Sequence, residues 1–272
     1  MTDHESMYVC RRIETLDERE YMKSSQFLYV ANWKMQFSFE KTLSFYRQNK
    51  KSFEVLAESH GTHIILCPSF DVLYAFSQEI KNSSLSLGAQ SCSSYQSGAY
   101  TGEVSAESLS QVGCTFCIVG HSERRRYFSE KDKDVALKLE RLLENNLYPI
   151  VCVGETKEER NEKRTAEVIE RQVRNICETI QREKESIQLC IAYEPVWSIG
   201  TGVSPLNKEI EAVFSQIQEI SQKTIPGASI SLLYGGSVNE DSAAIIKNVC
   251  GIKGFLIGGA SLDFQKFEKI VT

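Results

Sequence analysis

Three short stretches hold the side chains best suited to chemistry. Glu194 stands directly before Pro-Val-Trp in AYEPVWSIGTG (192–202), a segment with a stiff start and a glycine-rich exit. Lys34 follows Asn32 by two residues in ANWKM (31–35), and His121 lies near the start of GHSERRR (120–126). An acid ahead of such a segment reads as a base with a lid. A lysine beside an asparagine at a strand end can hold an anion. A histidine followed by serine and glutamate reads as a helix start, where the positive end of the dipole suits a neutral, hydrogen-bonding ring. The glycine pairs in YGGSV (234–238) and GGASL (258–262) let backbone N–H groups approach a ligand closely. Each stretch taken singly also has a plain structural reading: a solvated lysine, a capping histidine, a simple turn.

The elements that must position these groups are read from short apolar runs bounded by turn residues. Eight stand out: 27–31, 63–67, 85–89, 115–120, 149–154, 189–194, 229–235 and 254–259. Most are continuous rather than alternating, as expected for parallel strands covered on both faces. Between them lie stretches with helical spacing, such as 133–146, with Val135, Leu139, Leu142 and Leu143 on one face, and 208–223. Alternating strands and helices imply a parallel sheet with right-handed crossovers. Eight such units in this length predict an α/β fold, a closed (β/α)8 TIM barrel forming one domain over 26–272. An open doubly wound sheet is the alternative. In a barrel, functional residues belong just past the strand C-termini, where all of the stretches above fall.

Composition removes other classes. The 272 residues are 42% hydrophobic and 25% charged, ordinary for a globular chain, and the net charge of −5 offers no general attraction for nucleic acid or a membrane surface. No apolar stretch reaches the roughly 18 residues of a membrane span. Residues 1–25 mix six acidic with four basic residues around no apolar centre, so they read as a flexible extension rather than a signal peptide, with Met22 an alternative start. Nine cysteines are scattered through the chain, several in apolar runs, which predicts reduced, buried thiols in a cytoplasmic protein. CTFCIVGH (114–121) contains one CxxC but lacks the second ligand pair of a zinc site.

NWKM, GHSERR, CVGET, AYEPVWSIGTG, YGGSV and GFLIGGASL together resemble the signature segments of the triosephosphate isomerase family, in that family's order, over roughly residues 27 to 270. The resemblance implies interconversion of dihydroxyacetone phosphate and D-glyceraldehyde 3-phosphate, as in glycolysis and gluconeogenesis, with no cofactor or metal. It assigns Glu194 as the base, His121 as the electrophile and Lys34 as the cation, with Asn32 a donor beside it. It gives the substrate's phosphate to backbone N–H groups of Gly200, Gly258 and Gly259 and to Ser237. Pro195 then restricts the start of the lid, and Gly200 and Gly202 loosen its end. Cys152 and Glu123 fall in supporting positions. The segment 88–103 resembles the interdigitating loop of a homodimer, in which Thr101 approaches the partner's Lys34 and the partner's His121, and Glu103 pairs with the partner's Arg124.

The chain departs from the family pattern at Ala31, at 35–37, at Ser91, at Ser198 in the lid, where alanine is usual, and at Asp263. None of these removes a group with an assigned chemical role. Two other readings remain open on sequence alone. One is an isomerase of the same barrel acting on a four-carbon aldose phosphate. The other is a barrel that only binds, against which the joint presence of Asn32, Lys34, His121 and Glu194 argues.

Overall fold

The computed structural model describes residues 26–59, 61–180, 187–201 and 204–272. The extension at 1–25 and Gly202 lie outside the described residues. Eight parallel strands close into a barrel in sequence order. They are β1 (Phe27–Asn32), β2 (Thr62–Cys67), β3 (Ser86–Ala89), β4 (Phe116–Val119), β5 (Tyr148–Val153), β6 (Gln188–Tyr193), β7 (Ser229–Tyr234) and β8 (Ile252–Ile257). All eight expected runs are strands, with edges shifted by two residues at most. The described helices between them are α1 (Phe39–Glu58), α2 (Leu73–Ile80), α3 (Ala106–Gln111), α4 (Ser122–Tyr127), α5 (Asp132–Glu144), α6 (Lys157–Asn161), α7 (Thr165–Ile180), α8 (Asn207–Thr224), α9 (Glu240–Ile246) and α10 (Phe264–Val271).

The continuous apolar runs are explained by two cores sharing one sheet. Successive strand residues point to opposite faces. Leu28, Val30, Ile65, Cys67, Ile118, Ile150, Cys190 and Leu233 fill the barrel interior. Their neighbours Tyr29, Ala31, Ile64, Leu66, Val119, Val151, Ile191 and Leu232 pack outward under the helices. Each helix offers the complementary stripe. In α7 this is Val168, Ile169, Val173, Ile176, Cys177 and Ile180, the 3–4 spacing of a helix with one buried face.

Closure depends on β8 returning to β1, with Leu28 opposite Gly254 and Ala31 opposite Ile257. A Cβ at Gly254 would stand 2.3 Å from the Leu28 carbonyl oxygen and 2.7 Å from Leu233 Cδ2, so the seam closes only on a residue without a side chain. Of the eight described cysteines, seven are buried and Cys250 is exposed, all as free thiols. Among the described residues no helix is long and apolar enough to cross a membrane.

His63 lies at the N-terminal end of the barrel, away from the rim where the strands end. Its Nε2 is 2.8 Å from Ser86 Oγ on β3, and the ring stands edge-on to Phe116 at 5.5 Å. Burial lowers its pKa to about 4 from an ordinary 6.5. Above pH 6.5 the ring is neutral in both folded and unfolded chains. Between pH 6.5 and 4 the unfolded chain takes up a proton that the folded chain refuses, so stability falls with falling pH and levels off below about 4. Urea unfolding at pH 7 and pH 4 should show the wild type losing about 3 kcal/mol more than His63→Gln over that interval; equal losses would remove His63 as the cause.

Candidate active site

Lys34 is placed by a strained turn. It leaves β1 with φ of 52°, a left-handed conformation that costs a residue bearing a side chain roughly 1–2 kcal/mol. Three contacts hold it there. The Lys34 N–H donates to Asn32 Oδ1 at 3.1 Å, while Gln90 Nε2 donates to the carbonyls of Lys34 and Cys67 at 2.8 and 2.9 Å. The side chain then runs across the barrel mouth to Glu123, with Nζ 2.7 Å from Oε1. It passes alongside Gly258, its Cε and Nζ 3.4 and 3.7 Å from where a Cβ there would be, the range of ordinary van der Waals contact.

His121 follows β4 through Gly120 and caps α4. Its Nδ1 accepts the Glu123 N–H at 3.2 Å. A backbone N–H can only donate, so Nδ1 carries the lone pair and Nε2 the hydrogen. Glu123 Oε2 at 3.6 Å from Nδ1 is too distant to compete for that position. Nε2 points at Glu194 Oε1, 3.1 Å away.

Glu194 follows β6 and is buried, 2% exposed. Its Oε2 accepts the Ser122 N–H at 2.9 Å, so each carboxylate oxygen has a donor. Cys152 on β5 lies beside this carboxylate; burial first, then the Glu194 charge, pushes the Cys152 thiol well above its usual range. The backbone fit is close: a Cβ on Gly154 would lie 1.8 Å from the Glu194 carbonyl oxygen. Only glycine permits β5 and β6 to part here with Glu194 turned inward.

These groups share one cavity of about 390 Å3 at the strand C-termini. Asn32, Lys34, His121, Glu194, Gly200, Ser237, Gly258 and Gly259 all line it, so the structure brings together every site residue expected from sequence. The size suits a small molecule. The arrangement offers a fixed carboxylate, an imidazole N–H, an ammonium and a rim of glycine amides. Among the described residues no cluster of histidine, cysteine or carboxylate side chains could hold a metal ion.

A sequence model of the triosephosphate isomerase family matches residues 27–272. The chain belongs to the triosephosphate isomerase family. Triosephosphate isomerase of Endomicrobium trichonymphae is 40% identical to it over 246 residues, covering 90% of this chain and 97% of that protein. That of Dictyoglomus thermophilum is 40% identical over 248 residues, covering 90% and 98%. That of Wolbachia sp. subsp. Brugia malayi is 40% identical over 246 residues, covering 90% and 96%.

Several residues around the site were not foreseen. Glu155, fully buried after β5, anchors the segment that follows Glu194. It accepts the indole N–H of Trp197 at 2.9 Å and the Tyr193 hydroxyl at 3.1 Å, and its carbonyl takes the Val196 N–H at 3.1 Å. Arg160 lies 4.0 Å over the Trp197 ring and bonds Glu209 at 2.7 Å. Burial raises the Glu155 pKa despite these donors, and burial together with the Glu155 charge raises that of Tyr193. The rule that found Glu194, an acid just past a strand, would also have found Glu155 in CVGET. Ser198, fully buried, faces the segment after β7: Ser237 Oγ donates to the Ser198 carbonyl at 2.6 Å, while Ser198 Oγ is 3.4 Å from both the Tyr234 hydroxyl and the Ser237 N–H.

Behind His121, Gly120 is held from both sides. Its N–H donates to Glu130 Oε1 at 3.2 Å and its carbonyl accepts Arg125 Nε at 2.8 Å. Glu130 is buried with Lys138, and Lys138 Nζ also reaches Ser91 Oγ at 3.2 Å. The serine that departs from the family pattern thus serves this buried lysine. Burial alone would raise the Glu130 pKa, but the bonds and charges of Lys138 and then Arg124 outweigh it and hold the carboxyl below its usual range. Removing one partner leaves a buried charge poorly compensated. Lys138→Met should therefore lose about 3 kcal/mol of stability in urea unfolding, and adding Glu130→Gln should restore part of it; a Lys138→Met chain as stable as wild type would refute the assignment.

Proposed function

We infer that this chain interconverts dihydroxyacetone phosphate and D-glyceraldehyde 3-phosphate by proton transfer through an enediolate. The observation that carries the reading is the convergence of Lys34, His121 and Glu194 on one cavity rimmed by glycine amides. In the forward direction Glu194 takes a proton from C1 of dihydroxyacetone phosphate. The electron pair left on carbon moves into the C1–C2 bond, and the C2 carbonyl becomes the enediolate oxygen. His121 Nε2–H donates to that developing oxyanion and shuttles a proton between the two oxygens, while the Lys34 ammonium balances the added charge. The proton on Glu194 returns to C2, giving the aldehyde. Triosephosphate isomerases are a standing worked example of this pairing of carboxylate base and neutral imidazole, and of closure by a lid.

The phosphate is held by N–H groups of Gly200, Gly258 and Gly259 and by Ser237. Neutral amides in a concave nest bind a dianion without a basic patch, which reconciles the substrate with a chain of net charge −5. The lid, Pro195 to Gly200 and beyond, excludes water from an enediolate that would otherwise lose phosphate. Grip on the phosphate is what makes closure favourable, so a truncated substrate loses turnover as well as affinity.

Residues 26–272 act as one catalytic unit, with 1–25 an appended segment. Seven buried free thiols support a cytoplasmic location. A homodimer through 88–103 is supported by exposed aromatic surface on one side of the rim. Tyr95 and Tyr100 stack at 3.7 Å within that loop, and Met35, Tyr74, Tyr127 and Phe128 are exposed beyond the ends of β1, β2 and β4. Apolar side chains clustered in this way mark an interaction face.

A coupled assay of triose phosphate isomerisation tests the reading directly. Glu194→Gln should keep its fold and lose at least about 10²-fold in kcat, because the amide cannot accept the carbon proton; turnover close to wild type would exclude Glu194 as the base. Ser198→Ala should change kcat/KM by less than about tenfold. The short bond from Ser237 goes to the Ser198 carbonyl, which alanine retains, and only the two 3.4 Å hydroxyl contacts are lost. A larger loss would give the hydroxyl itself a part in lid movement.

A further inference from the structure

We propose that Lys266 is a second cationic residue of the cavity, drawing phosphate dianions toward the glycine amides at its phosphate end. The proposal rests on the isomerase reading above and adds to it a binding residue at the mouth. Lys266 lies in the first turn of α10, directly after the tight turn Gly259–Leu262. Side chains on a helix tilt toward its N-terminus, so a first-turn lysine leans back over the segment that precedes the helix. Here that segment carries Gly258 and Gly259. Phe264, Phe267, Ile270 and Val271 are the buried residues of α10 and fix its rotation, leaving Lys266 exposed. It lines the same cavity as Gly236, Ser237, Gly258 and Gly259.

Lys34 and Lys266 are the two lysines of that lining, which holds no arginine, and they differ in what they have to offer. The Lys34 ammonium is engaged by Glu123 at 2.7 Å. Lys266 commits only its backbone N–H, to Asp263 Oδ1 at 3.2 Å, and its ammonium has no ion-pair partner among the described residues. Lys269, one turn on, is tied to Glu240 at 2.8 Å. The negative chain as a whole repels a dianion, and amides attract it only at contact. An uncommitted ammonium at the mouth extends that attraction outward over about a Debye length, roughly 8 Å at physiological salt. An exposed cation of this kind assists capture and affinity, is screened by salt, and leaves the chemical step alone.

The test compares wild type, Lys266→Gln and Lys253→Gln. Lys253 is exposed near the N-terminal end of β8, away from the cavity mouth, so its variant removes the same charge away from the site. For Lys266→Gln, KM for triose phosphate and the inhibition constant of inorganic phosphate should both rise about threefold at low salt. Both rises should shrink in about 0.3 M salt. Its kcat, and its turnover of phosphate-free D-glyceraldehyde, should match wild type. An unchanged phosphate constant, an equal rise in Lys253→Gln, or a loss shared by D-glyceraldehyde would overturn the role of Lys266. Binding of inorganic phosphate followed by calorimetry separates the two readings. A wild type that fails to isomerise triose phosphate sinks the isomerase, while the same titration still decides whether Lys266 attracts phosphate.

Discussion

The His121 ring has one lone pair and one N–H to give, and the rest of the site follows from how they are assigned. The lone pair is taken by the first turn of α4, through the Glu123 N–H. The hydrogen is thereby forced onto Nε2, which faces Glu194 and the cavity. That assignment needs a helix to start within two residues of a strand end, at a turn the chain can make only with the right neighbours. Gly120 makes the turn with φ of 71°, and Glu130 and Arg125 clamp its N–H and carbonyl. The buried Glu130–Lys138 pair is thus one contact away from the tautomer of the imidazole. A buried ion pair is weak support for stability as such. Here its use is to fix one backbone position against rotation.

Buried carboxylates recur around the rim, and each is satisfied by donors from the protein. Glu130 faces the Gly120 amide and two cations, Glu155 faces an indole and a phenol, and Glu194 faces an imidazole and the Ser122 amide. The difference lies in what can be exchanged. The donors to Glu130, from Gly120, Arg124 and Lys138, do not line the cavity. Those to Glu155 hold one end of the lid segment. Of the two donors to Glu194, His121 lines the cavity, where a substrate can compete for its N–H. Three acids with similar burial therefore divide into an anchor for the turn, an anchor for the lid and a group free to react.

Most of the fold was readable from sequence because it rests on local signals. Continuous apolar runs gave all eight strands within two residues of their ends, and those runs are continuous because interior and exterior cores share each strand. Asn32, Lys34, His121 and Glu194 were singled out by one positional rule, that chemistry sits past strand ends, whereas Gly200, Ser237, Gly258 and Gly259 were expected as phosphate contacts only through the family resemblance. What was not readable depends on pairs far apart in the chain. Gln90 holds the strained Lys34 backbone across 56 residues, and Lys138 reaches Ser91 across 47. Neither glutamine nor serine carries a pattern that announces such a partner. The left-handed φ of Lys34 was equally hidden, since a lysine gives no sign of it; glycine or asparagine would have. Arg160 was missed for another reason, because a charge on a short helix reads as solvated until the Trp197 ring is found beneath it.

Each Glu194 oxygen accepts one donor, from His121 and from Ser122, and as the proposed base Glu194 would loosen one of these bonds to turn a lone pair toward the substrate's carbon. Hydrogen bonds to a charged group are worth roughly 1.5–3 kcal/mol each, so this surrender is not free. A substrate offers compensation in two places. In the proposed reaction its hydroxyl and carbonyl oxygens would take over the His121 N–H, and its phosphate would engage Gly200, which has φ of 71°. Because Glu194 and Gly200 belong to one segment, six residues apart, the proposed function would let closure over the phosphate shift the carboxylate toward the reacting carbon. Ser237 bonds the Ser198 carbonyl between them at 2.6 Å, so the segment has a fixed point about which its two ends can turn. With the proposed base and the proposed phosphate contact on one short, internally tethered stretch, binding at one end of the substrate would be coupled to proton transfer at the other.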